Sequence, residues 1–446
     1  MRVAITTLGC KVNQYESAAM GESLEKLGFR LVPFLEEADY YIINTCTVTG
    51  RTDYQSRQLV RRAGKTNPQA AIIVTGCYAQ TAPDVFAGMP GVTVVAGTLE
   101  KDHIAEIIRE IQKNSLLGKT PGAVPSVQVG NIGGNIKDWK VRPVSGFPGH
   151  TRAFLKIQDG CNAFCSYCIV PFARGRSRSI GKEEVMERIL ALARNGYREV
   201  VLTGIHLGAY GEDRQDGSSL AGILHQVEEN KTIERLRLSS LEPREITEEI
   251  LEIMKSAHIV CPHLHIPLQS GDDGILSRMG RNYDAAFFRE LMAQVFASRP
   301  DLTVGMDVMV GFPGEDEKAF GNTVSLIESL PIAYLHVFPY SRRPGTAAAG
   351  MGNQVGEEDK KRRGQTLRQL GAMKRQAFLE RFIGSTLPVL IEKRRDRPSG
   401  YLKGFTYNYM PVLLQDGSTE MVNTIVAVKL ESVRAGALIG KAHYGQ

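Results

Sequence analysis

Three cysteines near the middle of the chain stand at the spacing C-x3-C-x2-C, namely Cys161, Cys165 and Cys168. Only seven cysteines occur among the 446 residues, so this spacing is improbable by chance. Three thiolates can hold three irons of a [4Fe–4S] cube, which leaves the fourth iron without a protein ligand and therefore reactive. Zinc usually takes a fourth cysteine or histidine nearby, and three buried apolar cysteines are the other alternative. The motif therefore favours an iron–sulfur cluster with one open iron.

Three further cysteines each follow directly on an apolar run that reads as a strand. Cys10 ends Thr-Leu-Gly-Cys, Cys46 ends Asn-Thr-Cys and Cys77 ends Thr-Gly-Cys. The strands are predicted at residues 3–6, 40–43 and 71–74, with helices at residues 13–27, 51–65, 83–86 and 100–113. This alternation predicts a parallel sheet covered by helices, and the strands of such a sheet end at one edge. We therefore expect these cysteines to converge on a second metal site with an open iron, with three unrelated core cysteines as the alternative.

Six further strand-like runs alternate with helical patterns from residue 151 onward. They lie at residues 154–158, 199–203, 235–240, 263–268, 303–310 and 334–339. Six units are too few for a closed eight-fold barrel, so they predict an open (βα)6 partial TIM barrel. The catalytic groups of such barrels lie at the carboxyl ends of the strands, and the triple-cysteine motif follows the first of these strands.

An open iron beside a polar barrel mouth suits a chelating ligand with an amine and a carboxylate. S-adenosylmethionine (SAM) carries such a pair next to a sulfonium, and one electron from a cluster cleaves its C–S bond to give a 5′-deoxyadenosyl radical. Tyr167, inside the motif, is expected to pack on the adenine. Polar residues at the other strand ends are candidate SAM contacts, namely Thr203, Gly204, Ser240, Glu242, Gln269 and Asp307. Arg174, Arg176 and Arg178 either meet phosphate or the cofactor carboxylate or are solvated loop charges.

The seventh cysteine and two histidines of the barrel have no predicted part in a metal site. Cys261 precedes the fourth of these strands without a partner at metal spacing, so it reads as a buried core thiol. His263 and His265 alternate around that strand and read as sheet residues, because neither belongs to a metal pattern.

The basic excess of the chain lies at its C-terminus. The net charge is +6, and residues 351–446 alone contain 16 Lys and Arg against 9 Asp and Glu. After an amphipathic helix at residues 357–382, short strands predict a small five-stranded antiparallel β-barrel, OB-like, of a kind that often binds oligonucleotides. Basic residues alternate there with aromatic ones, which suits phosphate contacts and base stacking, unless the aromatics form the barrel core. The candidate RNA contacts are Lys393, Arg394, Arg395, Arg397 and Tyr407.

Composition indicates a soluble globular protein, with 43% apolar and 23% charged residues. No run of about 18 apolar residues is present, so no membrane span is expected. Residues 1–7 read as a strand and not as a signal peptide, which predicts a cytoplasmic protein with reduced cysteines.

These features predict an α/β protein of four segments. We expect an N-terminal parallel α/β domain over residues 1–118, a linker rich in Gly, Pro and Ser over 119–150, the partial barrel over 151–380 and the small β-barrel over 381–446. Trp139, the only tryptophan, lies in the linker and has no predicted role beyond packing.

The motifs together resemble the radical-SAM superfamily and, within it, the methylthiotransferase family over nearly the whole chain. That family combines an N-terminal cluster domain, a radical-SAM core and a C-terminal RNA-binding barrel called TRAM. The stretches similar to its MtaB branch are Thr7-Leu8-Gly9-Cys10-Lys11-Val12-Asn13-Gln14-Tyr15-Glu16 and Gly404-Phe405-Thr406-Tyr407-Asn408-Tyr409. At the first of these, the isopentenyladenosine branch typically has Gly-Cys-Gln-Met-Asn, and the ribosomal-protein branch has Gly-Cys-Pro-Lys-Asn.

The resemblance implies ligands, an activity and partners. The SAM-binding [4Fe–4S] cluster would be held by Cys161, Cys165 and Cys168, and an auxiliary [4Fe–4S] cluster by Cys10, Cys46 and Cys77. The MtaB branch methylthiolates C2 of N6-threonylcarbamoyladenosine at position 37 of tRNA, beside the anticodon, and uses two SAM molecules per turnover. The target base would have to turn out of the anticodon stem-loop. A small-protein electron donor such as a flavodoxin is implied, and the sulfur source stays unknown.

Three other functions remain open at this point. The substrate of the same chemistry would be an isopentenyladenosine tRNA in one of them and a ribosomal protein in another. In the third, the chain is a non-catalytic RNA-binding metalloprotein with structural zinc.

Overall fold

The chain folds into two compact units in the computed structural model, which describes residues 1–116, 125–134 and 139–443. The first unit consists of Met1–Gly146, Gln158–Arg178 and Ser341–Ala349, and the second of Phe147–Ile157, Ser179–Tyr340 and Gly350–Gln446. The predicted boundary at residue 118 and part of the predicted linker lie outside the described residues. Among the described helices, none has the length and apolarity that a membrane crossing requires.

A sheet of six parallel strands forms the centre of the first unit. The strands are β1 (Arg2–Thr7), β2 (Arg30–Val32), β3 (Tyr40–Thr45), β4 (Ala71–Gly76), β5 (Val92–Ala96) and β6 (Ser126–Gln128). They pair in the order β2-β1-β3-β4-β5-β6, which begins with the order of one common doubly wound fold. The three predicted strands are confirmed as β1, β3 and β4, and they are neighbours in the sheet.

Helices cover both faces of this sheet. They are α1 (Lys11–Glu25), α2 (Gly50–Thr66), α3 (Cys77–Thr81), α4 (Pro83–Ala87) and α5 (Ile104–Leu116), and a short α6 (Val170–Arg174) belongs to the same unit. Alternate strand residues face opposite layers, so Ile42 and Ile73 pack in one apolar core, while Ile43 and Ile72 pack in the other. Burial on both faces explains the continuous apolar runs of these strands.

The second unit contains six parallel strands that form the partial barrel. They are β7 (Arg152–Lys156), β10 (Glu199–Thr203), β11 (Arg235–Leu238), β12 (His263–Gln269), β13 (Thr303–Val310) and β14 (Tyr334–Pro339). Two strands of two residues each, β8 (Gln158–Asp159) and β9 (Arg178–Ser179), lie between β7 and β10 in the chain and pair with each other. The six longer strands form the sheets β11-β10-β7 and β12-β13-β14, which single parallel bridges join at Leu236–Val260 and Ser240–His265. The predicted open (βα)6 barrel is thereby confirmed.

Seven longer helices accompany these strands in the second unit. They are α7 (Lys182–Arg194), α8 (Leu220–Asn230), α9 (Glu248–Ser256), α10 (Asp273–Met279), α11 (Ala285–Ser298), α12 (Glu317–Ser329) and α13 (Glu357–Glu380). The predicted helix at residues 357–382 is found as α13, and its Phe378 and Leu379 pack into the core of the barrel that follows.

A closed five-stranded barrel follows α13 within the second unit. Its strands are β15 (Thr386–Arg395), β16 (Leu402–Thr406), β17 (Pro411–Leu414), β18 (Ile425–Arg434) and β19 (Ala437–Ala442), in the order β15-β16-β17-β19-β18. The small barrel is confirmed, but it is not wholly antiparallel, because β17 and β19 run parallel. Its core includes Val389, Leu402 and Val412, which are almost fully buried.

Candidate iron–sulfur centre

The first cysteine triad lies at the carboxyl ends of three neighbouring strands. Cys10 precedes α1 as its N-cap residue, Cys46 follows β3 directly, and Cys77 begins α3 directly after β4. Cys46 and Cys77 are buried, whereas Cys10 is exposed, and none of the three is in a disulfide. The predicted strand-end arrangement therefore holds for all three cysteines.

The Cys46 thiol is buried beside the other two cysteines of the triad. Burial is the main cause that raises the pKa of Cys46 to about 12, and the nearby Cys77 and Cys10 add to the rise. A thiol in this position stays protonated at neutral pH, whereas a metal ligand must be a thiolate. Three cysteines at adjoining strand ends, one of them a buried thiol that ionises only with difficulty, are a donor set that fits a metal cluster, because its positive irons can replace the protons.

Backbone geometry beside this triad requires glycine. Gly9 has φ +98°, and a Cβ built there would lie 2.7 Å from the Cβ of Cys46 and 2.8 Å from its sulfur. The side chain of Asn13 fixes the same corner, because its Nδ2 donates to Leu8 O at 2.7 Å and to Thr45 O at 3.0 Å. Gly9 and Asn13 together hold the residues before Cys10 and Cys46 in close contact.

We expect Gly9→Ala to lower the iron content of the reconstituted protein by up to half, because the methyl group would displace Cys46. The matched control is Gly28→Ala, since Gly28 also has positive φ, at +84°, but a Cβ there meets nothing within 4 Å. Strain at the left-handed backbone alone costs about 1 kcal/mol and applies to both variants. Iron per chain is the measurement, and equal losses in the two variants would rule out the contact with Cys46 as the cause.

The second triad lies on a short loop of the same unit. Cys161, Cys165 and Cys168 are half-buried, and none is in a disulfide. Gly160, with φ +73°, begins the loop, and a Cβ there would lie 1.9 Å from Arg176 O. Cys161 N donates to Gly175 O at 3.0 Å, so the loop is closed at its base. Three sulfurs on eight residues are a donor set that fits one [4Fe–4S] cluster with an open iron.

A buried arginine connects the surroundings of the two triads. Arg174 ends α6, six residues after the second triad, and its side chain is 1% exposed. Its Nε donates to the sulfur of Cys77 at 3.3 Å, and its Nη1 donates to Glu16 at 2.6 Å and to Asp159 at 3.2 Å. Asn13 accepts a further bond from its Nη2. One guanidinium therefore contacts a member of the first triad and a carboxylate two residues before the second.

The charged groups of this network are paired with one another within the protein. Burial would lower the pKa of the Arg174 guanidinium, but Glu16, Cys77 and Asp159 outweigh it and hold the pKa above the ordinary value. Lys101 pairs with Glu16 at 2.5 Å, and Arg178 pairs with Asp159 at 3.2 Å. The expectation that Arg174 meets a phosphate or a cofactor carboxylate is wrong, because protein groups surround it.

The sequence did not predict this network, although its two members on α1 belong to the stretch at residues 7–16 that resembles the MtaB branch. Asn13 and Glu16 are three residues apart on α1, so they lie on one face of the helix and both reach Arg174. Glu16, the last residue of that stretch, therefore has a structural role in addition to the ligand role expected of Cys10. The available signal was Asp159 just before the cysteine motif and the first of the three arginines that follow it, Arg174.

Comparison with known proteins identifies the family. The model of the radical SAM superfamily matches residues 155–327, and that of uncharacterized protein family UPF0004 matches residues 2–97. A Bacillus subtilis (strain 168) protein named threonylcarbamoyladenosine tRNA methylthiotransferase MtaB is 39% identical, covering 96% of this chain and 93% of its own length. The chain belongs to this methylthiotransferase family. A protein of the same name from Aquifex aeolicus (strain VF5) is 38% identical over 90% of the chain and 96% of its own.

Solved structures agree with the fold of this methylthiotransferase. A radical S-adenosylmethionine methyltransferase, TsrM, from Kitasatospora setae has a TM-score of 0.57 and 16% sequence identity, covering 78% of this chain and 75% of its own. At this identity the likeness concerns the fold alone. The predicted resemblance is confirmed, and a radical-SAM transferase of this family uses SAM and a [4Fe–4S] cluster.

The predicted SAM contacts of the methylthiotransferase lie at or near strand ends. Thr203 ends β10 and is buried, half-buried Gly204 follows it, and Ser240 is exposed two residues beyond β11. Glu242 forms an ion pair with Arg281, so its carboxylate is already engaged by the protein. Tyr167 is half-buried on the cysteine loop of the first unit. Their contacts with SAM stay predictions.

Gln269 and Asp307 show stronger signs of a constrained site. Gln269 has φ +63°, and the pairing of β12 with β13 shifts register between it and Pro267. Such left-handed backbone at a non-glycine residue is strained by about 1–3 kcal/mol and is frequent at functional sites. Asp307 accepts from His265 at 2.8 Å and from His336 at 3.2 Å. Burial would raise the pKa of Asp307, but these two bonds outweigh it and hold the pKa well below its usual range.

The predicted RNA contacts of the barrel differ in exposure. Lys393, Arg394 and Arg395 end β15, and these three and Arg397 are exposed. Tyr407 is half-buried instead, and its hydroxyl donates to Val260 O at 2.9 Å within the second unit. The basic run is therefore available to a phosphate backbone, whereas Tyr407 packs against the partial barrel. Both remain predictions of RNA contact.

Proposed function

We propose that this protein converts N6-threonylcarbamoyladenosine at position 37 of tRNA to its 2-methylthio derivative. The relatives that cover most of the chain at 38–39% identity carry that activity in their names. The observation that carries the proposal is the presence of two cysteine triads in one compact unit, linked by the buried contacts of Arg174. Sulfur insertion needs one site that generates a radical and a second that presents sulfur.

The proposal assigns the two triads to two [4Fe–4S] clusters. Cys161, Cys165 and Cys168 would hold the cluster that binds SAM, and Cys10, Cys46 and Cys77 would hold the auxiliary cluster. When bound, the clusters supply the electron that cleaves SAM and an open iron that carries sulfur. The chain itself orients the sulfurs through Gly9 and Gly160 and pairs Arg174 with both Glu16 and Asp159 between the triads.

The small barrel has the charge expected of an RNA-binding module. The exposed basic run at the end of β15 lies beside the acidic Asp396, but it still carries four positive charges. Phosphate contacts position the RNA without reading its sequence. Because tRNA is a cytoplasmic molecule, the proposal places the enzyme in the cytoplasm, where a small redox protein such as a flavodoxin would supply electrons.

We expect replacement of the basic run by glutamine to weaken tRNA binding and to flatten its salt dependence. Each lost phosphate contact lowers the slope of log K against log salt by about 1, so loss of all four residues lowers it by up to about 4. The changed residues are Lys393, Arg394, Arg395 and Arg397. A matched control replaces Arg61 and Arg62, which are exposed on α2 of the first unit. Unchanged slopes in both variants would place the RNA elsewhere.

The substrate is tested by nucleoside mass spectrometry of tRNA from cells with and without the gene. Loss of the 2-methylthio form of threonylcarbamoyladenosine, restored by the intact gene, is the expected result. Persistence of that nucleoside after deletion would contradict the proposal. Loss of the methylthio derivative of isopentenyladenosine, or of a methylthiolated ribosomal protein, would assign the same chemistry to a different substrate.

A further inference from the structure

A row of polar side chains crosses the partial barrel on three neighbouring strands. His265 lies on β12, Asp307 on β13 and His336 on β14, and Asp307 is paired in register with His336. Their hydrogen bonds show that the three side chains share one face of the sheet. Thr203, Gln269 and the other predicted SAM contacts do not account for His265 or His336. Asp307 is itself a predicted SAM contact, but the two histidines of the row have no assigned ligand.

The row opens toward solvent at one end. The side chains of His265, Asp307 and His336 are 10%, 24% and 54% exposed. Both ring nitrogens of His265 have partners, because Nδ1 lies 3.2 Å from the hydroxyl of Tyr334 and Nε2 hydrogen-bonds to Asp307. His336 uses Nδ1 for Asp307, which leaves Nε2 on the opposite side of the ring. The exposed His336 is thus oriented by Asp307, which also accepts a hydrogen bond from the buried His265, and it presents one ring nitrogen.

The chemistry of that nitrogen follows from the bond to Asp307. The carboxylate is ionised and can only accept, so Nδ1 of His336 carries the proton. In the neutral ring Nε2 is then an acceptor, which suits a hydroxyl or a ureido N–H. In the protonated ring Nε2 is a donor, which suits a carboxylate. A ligand with all three groups would be matched in either state of the ring.

The surroundings of His336 suit a substituted nucleobase. Phe338 follows on the same face of β14, is 44% exposed, and lies with its ring centre 6.3 Å from that of His336. His336 also lines a pocket of about 230 Å³ together with Tyr334, Tyr409 and Arg375. Exposed aromatic rings stack on unpaired bases, and a guanidinium pairs with a carboxylate. The surroundings of His336 therefore offer aromatic rings that can stack on a base and polar groups that can bind a substituent of that base.

We propose that His336, oriented by Asp307, is a specificity-determining residue that binds the polar N6 side group of the substrate adenosine. This inference rests on the proposed function. The threonylcarbamoyl group has a carboxylate, a hydroxyl and ureido N–H groups, whereas the dimethylallyl group has no hydrogen-bonding atom. A site built to hydrogen-bond a substrate leaves its own polar groups unsatisfied with an apolar analogue, and it rejects that analogue by about 10⁴-fold or more. His336 is therefore placed to separate two otherwise similar tRNA substrates.

The test compares two anticodon stem-loop RNAs that differ only in the N6 group of the target adenosine. One carries threonylcarbamoyl and the other dimethylallyl, and their competition for reconstituted holoenzyme gives the ratio of kcat/KM. His336→Leu is expected to lower kcat/KM for the threonylcarbamoyl RNA by about 100-fold and to reduce the discrimination by a similar factor. His336→Gln, which retains an acceptor and a donor, is expected to restore most of the loss.

Controls separate this inference from the folding of the variant and from the proposed function. His225→Gln changes another exposed histidine of the second unit, on α8 beside Glu249, and should leave the ratio unchanged. RNA-independent cleavage of SAM to 5′-deoxyadenosine should be equal in wild type and His336→Leu. If wild type acts on neither RNA, the proposed function fails. If wild type prefers the threonylcarbamoyl RNA and His336→Leu keeps that preference, this inference fails.

One further outcome would reassign the row. The ligand atoms of His265, Asp307 and His336 all lie within 4.8 Å of one another, a separation that a divalent metal ion can also span. Zinc and manganese are therefore measured in the same preparations beside iron. One equivalent of either metal in wild type that His336→Leu loses would overturn the substrate subsite and assign the row to a metal.

Discussion

Replacement of Cys10, Cys46 and Cys77 by alanine is expected to abolish methylthiolation while SAM cleavage continues. These residues lie at three strand ends, whereas the second triad lies on one separate loop closed by Gly160 and Gly175. Loss of one donor set therefore does not remove the other. Iron per chain should fall from about eight to about four, which is the difference of one four-iron cluster. The variant should still form 5′-deoxyadenosine from SAM under strong reductant.

The reciprocal variant completes the experiment. Alanine at Cys161, Cys165 and Cys168 should also halve the iron, but it should eliminate 5′-deoxyadenosine and methylthiolation together. Cys261→Ala is the matched control, because Cys261 is fully buried and burial is the main cause that raises its pKa to about 12. A neutral core thiol without a cluster should be dispensable for iron and activity. Full iron in either triple variant would show that its triad does not bind a cluster.

The sequence predicted the buried parallel strands well because their patterns are long and continuous. The bounds predicted for β10, β13 and β14 agree with the structure at both ends. By contrast, β2 and β6 have three residues each and expose part of their surface, so neither carries an apolar run. Edge strands of this kind are defined by pairing with a neighbour and not by their own composition.

The small barrel has the five strands predicted, but no sequence pattern marked the last of them, β19, for a different reason. The strand β19 contains Gly440, where a Cβ would lie 2.3 Å from Lys429 O on the neighbouring strand. Glycine weakens the pattern of a strand, yet here it permits the close approach that closes the barrel. The parallel pair β17–β19 follows from this closure and cannot be read from alternation along one strand.

At the candidate site, the cysteines were predictable and their charged surroundings were not. Strand ends of a parallel sheet converge by topology, so three cysteines far apart in sequence can be grouped without coordinates. Arg174 reads as a surface charge in the sequence, since arginine is rarely buried without a partner. Its partner Glu16 is 158 residues away, and no local pattern announces that pair. His336 escaped notice similarly, because its significance depends on Asp307 in the adjacent strand.

Arg174→Met is expected to destabilise the first unit by about 3 kcal/mol, the lower end of the range for breaking a buried ion pair. The carboxylates of Glu16 and Asp159 are 10% and 3% exposed, so they would keep their burial and lose their shared cation. The loss stays near the lower end because Lys101 still faces Glu16 and Arg178 still faces Asp159. Arg174→Lys retains the charge, and it should cost less.

Unfolding in urea can be followed by the fluorescence of Trp139 in the full chain. Trp139 is the only tryptophan, and the guanidinium of Arg178 lies 5.0 Å from its ring centre, so the probe contacts the network itself. Adding Asp159→Asn to Arg174→Met removes one of the two stranded charges, and the double variant should recover part of the stability. Strict additivity of the two changes would contradict a shared network.

Arg174→Lys also separates a structural role from an effect on the cysteine sulfur. The lysine keeps a positive charge near Glu16 but removes the Nε donor that lies 3.3 Å from the sulfur of Cys77. Hydrogen bonds to ligand sulfurs help to set the reduction potential of a cluster. In a redox titration followed by electron paramagnetic resonance, the auxiliary signal should shift to lower potential in Arg174→Lys, whereas Arg176→Lys, at an exposed position of the same segment, should leave it unchanged. A stable Arg174→Lys protein with an unshifted signal would restrict Arg174 to holding the fold. A shift would show that the Arg174 side chain also acts on the sulfur of Cys77, in addition to its ion pairs with Glu16 and Asp159.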